Sequence, residues 1–234
     1  MLSRRLVYAF LLVAYAPFAL AAKKAPPVAA ANTYPARETH EKEKVTVAAE
    51  PFETRTKGDF FRNDYAGHSI LPIRLIIQND SDAQLDLNQV RIQLIVEDGT
   101  KLPAATPEEL NRRLFRFQDI KSRRIPGTPI PYRPTSVDKK ILDDDKDFGF
   151  SQTLIPPHTS ANGFLFYDIK DLDGPPLDGA ELYVKMMHAK AGDKDTELFA
   201  FSVPFKAYFA ANKALRDAQK ASDAAKDDLK NNKP

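Results

Sequence analysis

The chain predicts an all-β fold, an antiparallel β-sandwich of seven or eight short strands with one short crossover helix and a C-terminal helical tail. Three observations carry this. Apolar residues recur at period two in several short runs, the runs are bounded by Asn, Asp, Gly and Pro, and no series of amphipathic helices separates them as a parallel sheet requires. The composition agrees: 234 residues, 43% hydrophobic, 28% charged and 10% aromatic, enough for one domain with a sizeable core. There is no cysteine, which excludes disulfides, thiolate zinc sites and thiol nucleophiles.

Residues 1–21 read as a cleaved secretory signal. Arg4 and Arg5 form the basic start, Leu6 to Ala16 is apolar but short for a bilayer span, and Ala19-Leu20-Ala21 supplies the small-x-small cleavage pattern. The expected destination is the bacterial periplasm or the medium. Cleavage removes Arg4 and Arg5, so Lys plus Arg falls from 34 to 32 against 32 Asp plus Glu. A formally neutral mature chain disfavours nucleic acid as a partner, and it is not expected to be an integral membrane protein. Residues 22–44, rich in Ala, Pro, Lys and Glu, read as a disordered tether.

The domain is expected over 45–209. Val45, Val47 and Ala49 alternate in a first strand. In 70–79, Leu71, Ile73, Leu75 and Ile77 share one face, with Arg74 and Gln78 on the other. Asn79-Asp80-Ser81-Asp82 is turn chemistry that also matches a glycosylation pattern. A strand over Val90–Val96 meets Asp98-Gly99, a hairpin signal, and 101–104 returns as a short strand. Thr106-Pro107-Glu108-Glu109 carries a capping box with Pro at the first helical position. The helix is expected to reach Phe117, with Leu110, Leu114 and Phe117 as its packing stripe. Residues 118–150 read as an irregular, Pro-rich and then Asp-rich insert. Further strands are expected over 148–155, 163–169, 181–188 and 198–205, the last two joined by a hairpin at 191–194. Phe199, Phe201, Val203 and Phe205 are expected to share a core face. Residues 210–234 read as a solvated helical tail.

ILPIRLIIQNDSD, a strand ending in Asp98-Gly99, IPPHTSANGFLFYDI at 155–169 and LFAFSVPF at 198–205 resemble the bacterial extracytoplasmic immunoglobulin-like domains of uncharacterised secreted proteins and lipoproteins. The likeness covers about 45–209. It implies an immunoglobulin-like sandwich with binding or scaffolding roles, and it brings no catalytic residues with it.

Chemical motifs are sparse. The four histidines form no close metal pair. There is no nucleophile elbow, phosphate loop or dinucleotide fingerprint. Asp143, Asp145 and Asp147 lie in an acidic run that is either a solvated charge run or a weak calcium site. Arg112, Arg113, Arg116, Arg123 and Arg124, with Tyr132 in the Pro-rich run, mark the candidate partner-binding surface. The expected function is a noncatalytic, exported protein-binding or scaffolding module of the envelope. The alternative is an exported hydrolase with a dispersed acidic site.

Overall fold

The computed structural model describes residues 24–115, 137–172 and 175–213. Their strands form three antiparallel four-stranded sheets. The first holds β1 (Arg37–His40), β2 (Val45–Pro51), β3 (Ile70–Asn79) and β8 (Thr159–Asp168), in that order. The third holds β12 (Phe201–Pro204), β9 (Glu181–Lys185), β5 (Arg91–Ile95) and β6 (Lys101–Pro103). The short strands β11 (Lys194–Glu197), β10 (His188–Ala191), β4 (Gln84–Asp86) and β7 (Leu154–Ile155) make the second. The described residues are thus mostly β and sandwich-like, with twelve strands rather than the expected seven or eight.

The main core lies between the first and third sheets. Leu71, Ile73, Leu75 and Ile77 of β3 meet Leu94, Leu182, Val184, Phe201 and Val203 there, as their alternation requires. The other face of β3 is not solvated. Ile70 joins an aromatic cluster of Phe52, Phe60, Phe61, Tyr65, Phe164 and Phe166, together with Leu110 and Ile141. Ile76 packs with Ala31, Tyr34 and Ala48. Arg74, on the face opposite Leu71 to Ile77, is 2% exposed. Its guanidinium is held by Glu50 and by the Pro26 carbonyl at 2.7 Å, so the buried charge is paired and its donors are used.

This second layer corrects three expectations. Residues 24–44 are not a free tether: Ala31, Tyr34 and Ala36 are buried, and β1 pairs with β2. Part of the 118–150 insert is helix, α2 (Lys139–Phe148), capped by Asp138, whose side chain accepts the Lys140 N–H at 2.8 Å. The strand expected over 148–155 shrinks to β7, because Phe148 closes α2 and residues 149–150 run along β8, where the Phe150 N–H donates to the Phe164 carbonyl at 3.1 Å. A Cβ on Gly163 would lie 2.5 Å from the Phe150 Cα, so only glycine lets the two backbones approach. Gly163→Ala should therefore cost about 2–3 kcal/mol by forcing this seam apart. A thermal melt checks it, and an unchanged midpoint would mean that the approach is looser than described.

The capping box is as expected. The Thr106 hydroxyl accepts the Glu109 N–H and the Glu109 carboxylate accepts the Thr106 N–H at the start of α1 (Pro107–Leu114). The Asp98-Gly99 turn also forms, with Gly99 at φ 85° and β6 returning beside β5. The 181–205 ribbon differs. Glu181 faces Pro204 and His188 faces Glu197 in one continuous antiparallel register. The ribbon breaks in the middle, where Met186 takes a left-handed φ of 61°. Its base stays in the third sheet as β9 and β12, and its tip crosses to the second as β10 and β11. Phe199 falls at the break and is 81% exposed, which overturns its place on the core face. Phe201, Val203 and Phe205 are fully buried. Residues 206–213 are helical, and the Tyr208 hydroxyl donates to Glu53 at 3.2 Å. The remainder of the expected tail, 214–234, lies outside the described residues.

Candidate functional site

The sequence-marked basic surface is reached in part. Arg112 and Arg113 lie on α1 and, with Glu109, Leu102, Pro103, Ala105 and Asp168, line a groove of about 370 Å³ between α1, β6 and the end of β8. The Ala105 N–H donates to the Phe166 carbonyl at 2.7 Å and anchors the chain beneath it. Both guanidinium groups already face carboxylates. Arg113, 15% exposed, stands 3.2 Å from Asp168. Its Nε lacks hydrogen-bond alignment, so that contact is coulombic. Arg112 is 3.9 Å from Glu109 and largely exposed, a pair worth little in water. Arg116, Arg123, Arg124 and Tyr132 lie outside the described residues.

The acidic run behaves differently from a solvated charge run. Asp144 is fully buried. It accepts the Arg62 N–H at 3.0 and 3.1 Å, the Arg62 Nη1 at 3.0 Å and the Tyr65 hydroxyl at 3.1 Å. Asp147 takes the Arg62 Nη2 at 2.5 Å, and Asp143 stands 4.0 Å from its Nε. One arginine thus gathers three carboxylates of α2 onto the 60–65 loop, and hydrogen bonds to Asp147 and Asp144 raise its already high pKa. Burial and then the Asp144 charge push the Tyr65 hydroxyl far up, which keeps it a donor. Calcium at Asp143, Asp145 and Asp147 would have to compete with Arg62 for two of the three. The Asp145 carboxyl is itself pushed up, first by burial and then by Glu108. No group of three metal-ligating side chains occurs among the described residues.

Asn79 is also fully buried. Its Nδ2 donates to the Ala83, Ile155 and Pro156 carbonyls, and its Oδ1 accepts from Ser81. It pins the corner where β3 leaves the first sheet, so in the folded state its amide is not open to glycosylation.

A polar seam that the sequence did not announce joins β1 to the ribbon. The His40 ring stacks on Phe201 at 3.9 Å. Its nitrogens face Glu43 at 2.8 Å and Glu38 at 3.2 Å. The other oxygens of those carboxylates accept the Phe199 N–H at 3.2 Å and the Ser202 N–H. Two donors of the 199–202 backbone are therefore sealed by side chains of β1 and the turn after it, a known way to protect an edge. In sequence Glu38, His40 and Glu43 carry no motif, and only the stack of His40 on Phe201 brings the three to the ribbon.

A smaller cavity, about 200 Å³, opens within the 52–72 stretch and is lined by Phe52, Arg55, Asp59, Phe61, Asp64 and Tyr65 among others. Its Asp64 accepts the Gly67 N–H at 3.0 Å and faces Arg55 at 3.5 Å, so that carboxylate serves the turn. Lys57 lies nearby against Phe52 and Tyr208. Burial lowers its pKa, against the opposing pull of Glu50.

No protein-family model matches the chain, and no curated protein and no solved structure is significantly similar to it. No helix among the described residues is long and apolar enough to cross a membrane.

Proposed function

We propose that the protein is an exported, noncatalytic binding module with an immunoglobulin-like sandwich, which contacts another protein of the bacterial envelope through the exposed break of its 181–205 ribbon at Phe199. Strand order supports the fold reading. The orders β12-β9-β5-β6 and, with β1 added at one edge, β2-β3-β8 are similar to those of an immunoglobulin domain in which the last, sixth, third and added strands oppose the first, second and fifth, while the four short strands of the second sheet fall outside that scheme. The observation that carries the binding role is Phe199. It is a large aromatic left 81% exposed while its backbone is fixed by Glu43, so its presentation costs little further ordering on association. The groove holding Arg112 and Arg113 is the second exposed feature, but its charges are internally answered.

A photo-reactive residue placed at Phe199, at Arg112 or at the exposed control Lys170 tests this in the native envelope. A discrete protein adduct from position 199 and none from 170 is expected. Absence of a discrete adduct from both 199 and 112 would overturn the reading. Export is checked separately: the intact mass should correspond to a chain beginning at Ala22, and a soluble species retaining Arg4 and Arg5 would refute the cleaved signal.

A further inference from the structure

Edge strands expose unpaired backbone groups, and several edges among the described residues are covered or very short. Along β8 the edge is covered by the N–H groups of Ala105 and Phe150. On the β12 side, Glu38 and Glu43 seal the 199–202 backbone, and the strand ends at Pro204. Only three residues long, β6 ends at Pro103, and β7 has two residues before Pro156. In β11 all four residues are exposed, and it flanks only β10.

The phase of that edge is fixed. The Leu198 N–H donates inward to the Met187 carbonyl at 2.8 Å, while the Phe199 N–H points outward to Glu43. Backbone groups alternate along an antiparallel ladder, so those of Asp195 and Glu197 also point outward. Their side chains share one face of the ribbon with that of Phe199; Asp195 also meets the His188 Nδ1 at 2.8 Å yet stays 52% exposed, so its carboxylate keeps a solvent-facing side. An added antiparallel strand must place its own outward-pointing residues directly opposite Asp195 and Glu197. A second copy of β11 could offer only Asp195 and Glu197 themselves, and like charges directly opposite are destabilising. The edge therefore guards against self-pairing while favouring cations at alternate positions.

Resting on the binding role proposed above, we infer that β11 is the docking edge and that its partner is an extended segment carrying Lys or Arg at positions i and i+2. An apolar residue at i−2 would reach Phe199. Main-chain hydrogen bonds would hold such a strand, and the two carboxylates would select it.

The test uses the full exported chain and two acetylated, amidated heptapeptides, Val-Thr-Lys-Thr-Lys-Thr-Val and its counterpart with Glu for Lys. At low salt the Lys peptide should bind about ten-fold or more tighter, with amide shifts in the NMR spectrum centred on 194–199. The D195K/E197K variant should invert that preference. Glu197→Pro should abolish binding without changing the melting temperature, because its N–H faces outward and serves no internal pairing. No shift at 194–199, or an unaltered preference in D195K/E197K, would overturn the inference. An envelope adduct from position 199 that persists in D195K/E197K would overturn it too, yet leave the binding module standing. Loss of every adduct in the wild type would instead remove the module reading itself.

Discussion

Asp144→Asn should destabilise the protein by about 3–5 kcal/mol, the cost of breaking a buried, hydrogen-bonded ion pair from one side. The carboxylate is fully buried and accepts from the Arg62 backbone, the Arg62 guanidinium and the Tyr65 hydroxyl. An amide of the same shape removes the charge and turns two hydrogens toward groups that are themselves donors. Arg62 keeps Asp147 at 2.5 Å, but that partner is 42% exposed and solvent-screened. Against a total stability of about 5–15 kcal/mol, the loss is a large share. Asp143→Asn is the matched control, since its contact at 4.0 Å is long and 39% exposed, and it should change stability by less than about 1 kcal/mol. Urea unfolding of both variants decides the matter. A loss below about 1 kcal/mol for Asp144→Asn would mean that α2 is not held by this cluster.

That cluster also marks where sequence reading stops. Local chemistry was legible: Thr106 with Glu109 gave the capping box, Asp98-Gly99 gave the hairpin, and Leu71 to Ile77 gave the core face of β3. Each signal lies within about ten residues of its partner. The second layer was not legible, because its logic is long-range. Pro72, Arg74 and Gln78 make the even face of β3 look solvated, yet Arg74 is satisfied by Glu50 and by Pro26, 48 residues away. Asp143-Asp144-Asp145 reads as a charge run because Asp is a poor helix former. Only Arg62, some 80 residues earlier, turns it into an anchored helix face. The aromatic residues at 52, 60, 61 and 65 were the available signal. They are too dense for an exposed connection, and they form the floor under α2.

The candidate site divides in the same way. Arg112 and Arg113 were marked by local charge, and the structure brings them to one groove, but Asp168, which answers Arg113, comes from the far end of β8. The β11 edge left no periodic trace, since Lys194-Asp195-Thr196-Glu197 is polar on both faces. It becomes visible only when, among the described residues, β8 and β12 are found covered and β6 and β7 are found short.

Phe201→Ala should cost about 3–5 kcal/mol, in the range for deleting a buried aromatic from a close-packed core. Phe201 is fully buried between the two large sheets, among Leu94, Leu182, Val184 and Val203. It does a second job, because its ring carries the stacked His40 at 3.9 Å. Removing the ring takes the platform from beneath His40 and, through it, from Glu38 and Glu43, which seal the Ser202 and Phe199 N–H groups. Phe201→Leu separates the two roles, since it restores much of the core volume but offers no flat face. If packing alone matters, Phe201→Leu should lose less than about 1.5 kcal/mol, as volume-conserving swaps do. If the stack holds β1 to the ribbon, that variant should also show faster amide hydrogen exchange at Phe199 and Ser202 with the rest of the third sheet unchanged. Slow exchange at both amides, together with a loss below about 1 kcal/mol for Phe201→Ala, would show that neither the core face nor the seam depends on this ring.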